Sequence, residues 1–274
     1  MKENYLDLKG KVVVITGAAG LLGKSYAEAI ASYGGNPILL DLDQKKLDLI
    51  CSNLSKKYKV KSMGFAVDIT NENQVSKNSQ TIKELYGKID GLINNAANNP
   101  KVESGSSQFS RLENFSLDSW NKDISVGLTG SFLCSKYFGK IIADTSKSGS
   151  IINISSDLGL IAPDQRLYRK DGLDDDSQPV KPVTYSVVKT GIIGLTRYLS
   201  TYWTKENVRA NALCPGGVEN GQDQAFIDLV TKKIPLNRLA AKDEYNAVII
   251  WMLSDSSSYL NGAIIPVDGG RTGW

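Results

Sequence analysis

A β-branched run, Lys11-Val12-Val13-Val14-Ile15-Thr16, breaks straight into Gly17-Ala18-Ala19-Gly20-Leu21-Leu22-Gly23 and then into a helical pattern over about residues 22–32. A short buried-type strand, a glycine turn and a helix in immediate succession constrain the fold more than any other feature. A helix after a strand leads back to the same sheet through a right-handed crossover, which makes the next strand parallel. The pattern then repeats. Strands are predicted at 37–40, 61–67, 91–93, 150–154, 208–213 and 264–267, and helices at about 44–57, 75–86, 117–143 and 182–204. This alternation specifies an α/β fold, a single-domain Rossmann-type doubly wound parallel sheet of about seven strands flanked by helices. No linker, repeat or low-complexity tract divides residues 1–274, so the chain reads as one domain.

The glycine turn has a chemical reading. Glycine lets the backbone bend sharply and brings N–H groups close to a pyrophosphate, and a helix N-terminus adds partial positive charge. Gly17, Gly20, Leu22 and Gly23 are the cradle candidates for a dinucleotide. Many strand-to-helix turns need glycine for geometry alone, but this one follows the first strand. Asp41 ends the second strand, where an acid accepts hydrogen bonds from the adenosine ribose hydroxyls and repels a 2′-phosphate. No arginine lies in the glycine loop or just after Asp41, so the expected cofactor is NAD rather than NADP. A plain strand-end turn is the other reading of Asp41.

Composition excludes several chemistries. The chain has no histidine, which removes His-based metal sites and any Ser-His-Asp triad, and no metal is expected. Acid-base work near neutrality must therefore come from a group with a shifted pKa. Cys51, Cys134 and Cys214 have no paired spacing, which suits a reducing compartment. The net charge of +3 is spread along the chain, so no nucleic acid is expected. The polar, acid-bearing start is not a signal peptide, and the apolar run 247–253 is too short to span a membrane. The expected location is the cytoplasm.

Further motifs follow in order: Asp68, Asn94-Asn95-Ala96-Ala97, Asn153-Ile154-Ser155-Ser156, Tyr185-Ser186-Val187-Val188-Lys189 and Pro215-Gly216, then Pro235-Leu236-Asn237-Arg238, Ser254-Asp255 and Val267-Asp268-Gly269-Gly270. In this order they resemble the short-chain dehydrogenase/reductase family over nearly the whole chain. Asp157-Leu158-Gly159-Leu160, the run on to Arg166, Ser125-Val126-Gly127-Leu128-Thr129 and the ending Gly269-Gly270-Arg271-Thr272-Gly273-Trp274 also resemble a subgroup of flagellin-modification or surface-polysaccharide biosynthesis oxidoreductases.

The resemblance implies an NAD-dependent oxidoreductase moving hydride between NAD(H) and an alcohol or carbonyl carbon. It makes Ser156, Tyr185 and Lys189 the catalytic residues. Asp68 and Ile69 are expected beside the adenine, and Asn94 and Ala96 along the path from adenosine ribose to nicotinamide. Pro215, Gly216 and Val218 are expected at the carboxamide, and Lys189 at the nicotinamide ribose. The physical chemistry of the pair is independent of the family. Tyr185 and Lys189 are four apart on a predicted helix and share a face. Lowering a phenol from ~10 by about three units takes roughly 4 kcal/mol. An ammonium ~4 Å away at an effective dielectric of ~20 supplies about that much. The same spacing also occurs as a plain helix-surface pair.

The chain departs from the family in places. Leu21 stands at the middle glycine of the cradle, Asn220 replaces the threonine after Pro-Gly, and Gly127 takes the place of an asparagine that helps hold a relay water. Glycine at 127 keeps a carbonyl for that water and leaves room for a substrate group. Inserted loops near 98–114 and 163–181 emerge at strand carboxyl ends, beside the reacting carbon. They read either as a polar lid over a small polar substrate such as a sugar or sugar derivative, with Arg166 and Arg169 as anion contacts, or as solvated loops or oligomer contacts. Two other functions stay open: an NAD-assisted sugar dehydratase or epimerase, and a non-catalytic NAD-binding regulatory subunit. Helices 117–143 and 182–204 resemble the pair through which family members form dimers and tetramers, and Gly191 and Gly194 would allow close packing, so a homo-oligomer, a dimer or homotetramer, is expected. The ending at Arg271 to Trp274 could reach either the substrate pocket or a neighbouring subunit.

Overall fold

The first strand forms where five β-branched or hydroxyl side chains, Val12–Thr16 (β1), are all buried. Both faces of the sheet are covered, so strands need not alternate apolar and polar. The structure, a computed structural model, describes residues 5–98 and 110–274. In chain order the remaining strands are Asn36–Asp41 (β2), Met63–Ala66 (β3), Gly91–Asn94 (β4), Gly149–Ile154 (β5), Val208–Pro215 (β6) and Ile264–Val267 (β7). They make one sheet in the order β3-β2-β1-β4-β5-β6-β7, with every pairing parallel. The expected single α/β domain with a doubly wound seven-stranded sheet is therefore observed.

The helices are Leu21–Ser32 (α1), Gln44–Tyr58 (α2), Glu72–Tyr86 (α3), Leu117–Ile124 (α4), Gly130–Thr145 (α5), Val183–Tyr202 (α6), Gln224–Thr231 (α7) and Asn246–Leu253 (α8). Two buried clusters cover the two faces. One joins β1 and β2 to α1 and α8 through Tyr26, Ile30, Leu39 and Ile250, and the other joins the sheet to α3 and α5 through Ile82, Phe138 and Ile142. The strand order reverses between β1 and β4, and in open α/β sheets the crevice outside the strand carboxyl ends at that reversal receives the ligand.

Three local differences from the sequence expectations have physical causes. The helix expected over 117–143 is interrupted by a wide π turn at Ser125–Thr129. Gly127 and Gly130 lie there because a Cβ would meet Val188 Cγ1 at 2.5 Å and Ile69 Cδ1 at 2.6 Å respectively. Helix α8 was visible only as an apolar run, since its apolar side chains are not confined to one face and carry no 3.6-residue signal. Helix α7 is a single short amphipathic segment that the sequence reading did not separate from the loop around it. Among the described residues no helix is long and apolar enough to cross a membrane, and no acid or cysteine cluster could hold a metal.

Candidate active site

The glycine turn builds a cradle. Gly17 has φ +63°, and a Cβ on it would sit 2.8 Å from Ala96 Cα. Gly23 is buried behind the loop, where a Cβ would meet Gly17 O at 2.3 Å, so it allows close helix-to-turn packing rather than lining the cleft. Gly20 is the N-cap of α1 and no side chain caps that end, so the first N–H groups of α1 face the cleft. Asp41 closes the loop: Oδ2 accepts from the Ala19 N–H at 2.9 Å and Oδ1 from the Leu42 N–H at 2.8 Å. It thus has a structural role as well as a place in the cavity wall.

Two cavities share one rim. The first, about 380 Å³, is lined by Gly17, Gly20, Leu22, Asp41, Asp68, Ile69, Asn95 and Ala96 among others. No lysine or arginine is among these lining residues. The second, about 390 Å³, shares Leu22 and Asn95 and runs on to Ser156, Tyr185, Lys189, Pro215, Gly216 and Val218. The two cavities meet at Leu21 and Leu22, at the uncapped N-terminus of α1, an arrangement suited to a dinucleotide whose pyrophosphate would lie there.

Asn94 does not line either cavity. It is buried, and its amide donates to Ser135 Oγ at 3.0 Å and Asn153 Oδ1 at 2.7 Å, which ties β4 to α5 and β5. The neighbouring Asn95, which the sequence reading left without a role, donates to Thr16 O and Gly17 O and holds the glycine turn. Alternation along β4 puts successive side chains on opposite sides of the sheet, so one residue of register separates the two roles. At the other end, Gly216 donates its N–H to Val267 O at 2.9 Å, and a Cβ there would meet Asp268 Cα at 2.8 Å.

Tyr185 and Lys189 share the inward face of α6. Lys189 is 6% exposed and donates to Ile154 O at 2.9 Å. Its ammonium lies 5.9 Å from the Tyr185 ring centroid, and that of Lys181 lies 3.8 Å from it. Burial pushes Tyr185 above the ordinary phenol value; the Ser156 hydroxyl and Arg271 oppose this and Asp157 adds to it. The expected lowering by a nearby lysine is therefore not what the protein's own groups produce, because desolvation is the larger effect.

Burial, with the Lys181 charge, lowers Lys189 from 10.5 to about 8. Below pH 8 the folded state carries a buried charge. Between about 8 and 10.5 it has shed the proton while the unfolded chain keeps it, so this group makes stability rise with pH. Lys189→Met should remove that slope. Thermal denaturation should find the variant the more stable by up to about 3 kcal/mol near pH 7, with the gap closing towards pH 10.5. A constant gap across that range would mean that Lys189 is not desolvated.

Gly127 corrects one expectation and leaves another open. Val188 stands where a Cβ would be, so glycine opens no room for a substrate group, but it lines a cleft of about 20 Å³ with Tyr185 and Lys189, and its carbonyl accepts from Ser131 Oγ at 2.9 Å with a second lone pair to spare. Placing the family's asparagine there should overpack this contact. Gly127→Asn is expected to lose about 1–3 kcal/mol, and adding Val188→Ala should restore most of the melting temperature. An unchanged melting temperature for the single variant would refute the overpacking.

The insertion 163–181 forms a wall of the second cavity. Leu167 and Tyr168 pack on Phe226, Ile227 and Val230 of α7, and Tyr168 lines the cavity. Gln178 binds Lys170 and Leu173 and closes the loop. Arg111 donates to Asp175 O and Val180 donates to Ser110 Oγ, which joins this insertion to the end of the other. Of the expected loop at 98–114, residues 99–109 lie outside the described residues. Arg166 and Arg169 are paired with Asp164 and Asp175 and do not line the cavity; among the described residues the cations that do are Lys181, Lys189 and Arg271. Acids close by in sequence neutralise the two loop arginines. Asn220 lines the same cavity.

A family model described as short chain dehydrogenase matches residues 11–168, and one described as enoyl-(acyl carrier protein) reductase matches residues 176–272. The chain is 30% identical over 266 residues to meso-2,3-butanediol dehydrogenase of Serratia marcescens, covering 96% of this chain and 94% of that one. Two solved structures share the fold. The short chain dehydrogenase of Leptospira borgpetersenii with bound NAD+ has a TM-score of 0.83 at 27% identity, covering 99% of this chain and 97% of that one. The NADPH-dependent 3-quinuclidinone reductase of Rhodotorula rubra has a TM-score of 0.84 at 26% identity, with coverage of 99% and 96%.

Proposed function

The chain belongs to the short-chain dehydrogenase/reductase family and is an oxidoreductase of alcohol and carbonyl carbons, and from that premise we propose that it uses NAD(H), with Tyr185, Lys189 and Ser156 as its catalytic residues. The observation that carries this reading is that all three line one cavity continuous with the glycine cradle. NAD(H), when bound, supplies the acceptor or donor of hydride. Gly17, Gly20 and Leu22 would hold its pyrophosphate, Asp41 the adenosine ribose, and Asp68 and Ile69 the adenine. Ala96 and Asn95 would line the middle, and Pro215, Gly216 and Val218 the carboxamide end.

Tyr185 takes the proton of the alcohol in oxidation and returns it in reduction. The Ser156 hydroxyl hydrogen-bonds the reacting oxygen. Lys189 would reach the nicotinamide ribose, and its charge and that of the oxidised nicotinamide would work against the burial that holds the phenol high. Asp41 supports NAD over NADP, since no cation lines its cavity among the described residues.

The substrate is small and polar, a polyol, sugar or sugar derivative of the kind surface-polysaccharide and flagellin-modification oxidoreductases handle. Ser156, Asp157, Lys181, Gln222 and Arg271 in the wall support this, as does likeness to a relative named for a vicinal diol. Exposed Phe132, Tyr198 and Tyr202 on α5 and α6 support a homo-oligomer through that face, and three buried free thiols support a cytoplasmic setting. A panel of polyols, sugars, sugar phosphates and nucleotide sugars with NAD+, read as NADH absorbance, tests the proposal. At least one member should yield NADH. No net NADH from any, with NAD+ bound, would favour internal recycling or a regulatory subunit instead.

A further inference from the structure

The tail after β7 carries a charge from the far end of the chain into the catalytic cavity. Asp268 shapes the turn: Oδ1 accepts from the Gly270 N–H at 2.9 Å, and Oδ2 from the Thr272 N–H at 2.8 Å and its hydroxyl at 2.6 Å. Gly269 and Gly270 adopt φ +68° and +91°, and a Cβ on them would meet Ile234 and Pro235. The turn is therefore seated on the segment after α7, where Gly269 O also accepts from the Leu236 N–H and the Trp274 indole donates to Lys233 O.

Held in this way, Arg271 enters the cavity with Nη1 2.9 Å from Asp157 Oδ2, and the two side chains are only 10% and 4% exposed. The other oxygen of Asp157 accepts from Ser156 Oγ at 2.7 Å and from the Leu158 N–H at 2.8 Å. An ionised carboxylate has no proton to give, so the hydroxyl proton of Ser156 rests on Asp157, and the serine rotates from it to donate to a reacting oxygen or to the Tyr185 phenolate. A buried ion pair is a poor device for stability, because desolvation offsets most of its attraction. One beside a reacting group is better explained by what it does to that group.

We propose that Asp157 and Arg271 are a positioning pair for the reaction: Arg271 holds Asp157 in place as the resting partner of the Ser156 hydroxyl, which orients the serine beside the reacting oxygen, and it cancels the field of that carboxylate at the Tyr185 phenol. Without the guanidinium, a negative charge next to Ser156 would oppose formation of a phenolate. With it, the serine is held and the local charge is balanced. The signs agree, since Asp157 raises the phenol and Arg271 lowers it. The other groups facing Tyr185 among the described residues are Lys181 and Lys189 near and on α6, Tyr168 from the insertion, Cys214 of β6 beside Lys189, and Asp123 of α4 across a small adjoining cleft. Asp123 is engaged with Asn98 and Thr184. Arg271 is the one of these cations that contacts Asp157.

The inference rests on Tyr185 being the proton-transfer group, and its test does not require a known substrate. Phenolate absorbance is titrated from pH 7 to 12, with and without NAD+, and the curve of the matching Tyr185→Phe protein is subtracted to isolate Tyr185. Asp157→Asn should lower its midpoint by about one to two pH units, and Arg271→Gln should raise it by a similar amount, as expected for a unit charge roughly 6–12 Å away at an effective dielectric of ~20. The double variant should return close to the parent, and Arg271→Lys should stay near it. A residue that merely anchored the tail would lower the melting temperature and leave the midpoint in place. An unmoved midpoint in Asp157→Asn, or in a folded Arg271→Gln, overturns the pair. Should Arg271→Gln lose its thermal transition, Asp157→Asn decides alone. Turnover retained by Tyr185→Phe is a separate result that overturns the reading of the tyrosine, and with it the pair's part in the reaction.

Discussion

Tyr185→Phe should lower kcat by on the order of 10³-fold while the Kd for NAD+ stays within about twofold of the parent. The substitution removes one oxygen and keeps the ring. Lys189 would still donate to Ile154 O, and the cradle at Gly17 and Gly20 lies at the other end of the cleft. What disappears is the phenol that faces Ser156, with the Lys189 ammonium 5.9 Å from its ring centroid, in a chain without histidine. The pH dependence has a definite sign. Oxidation needs the ionised phenol and reduction needs the neutral one, so alcohol oxidation should rise with pH and carbonyl reduction should fall. Burial holds Tyr185 high, so the protein's own groups place that limb on the alkaline side, and the positive ring of oxidised nicotinamide would act in the opposite direction. Steady-state NADH absorbance for turnover and calorimetry for NAD+ binding decide the matter. Retention of more than about a tenth of kcat would remove Tyr185 from the proton transfer, since general acid-base catalysis contributes about 10²-fold or more.

The second large effect concerns Asp41. The parent should prefer NAD+ over NADP+ by on the order of 100-fold or more in kcat/KM. A carboxylate ~4 Å from a phosphate at an effective dielectric of ~20 is opposed by about 4 kcal/mol for each pair of unit charges. No lysine or arginine among the described residues lines that cavity to offset it. The carboxylate also accepts from the Ala19 N–H, so truncation would loosen the glycine turn and confuse selectivity with folding. Asp41→Asn keeps an acceptor for Ala19, gives up the exposed one for the Leu42 N–H, which water can replace, and removes the charge. It should narrow the preference by roughly 10-fold or more with little change in melting temperature, because it removes the Coulomb opposition alone. Equal use of both cofactors by the parent would mean that Asp41 serves only as a clamp on the loop.

The parts of this protein legible in its sequence are those set by neighbours within about one helical turn. The strand-glycine-helix start, the strand-to-helix alternation and the Tyr185–Lys189 spacing all rest on local periodicity and on backbone freedom at Gly17. They were enough to state the sheet, the glycine turn and the face of α6 that lines the cavity. Even there, one residue of register along β4 turned Asn94 into a buried tie and gave Asn95 the loop. The π turn at Ser125–Thr129 was not legible, because its glycines answer to Val188 and Ile69 on other elements.

The electrostatics belonged almost wholly to the tertiary structure. Arg166 and Arg169 looked available in the sequence and are paired in place, whereas Arg271, one residue of a glycine-rich tail, meets Asp157 across 114 positions. Likewise Tyr185 looked lowered by Lys189 and is raised by burial. Sequence fixes which groups are four residues apart and which turns need glycine. How deeply a charge is buried, and which opposite charge meets it, depends on how sheet, insertion and tail close over one another, because desolvation and Coulomb energy follow distance in space rather than distance along the chain.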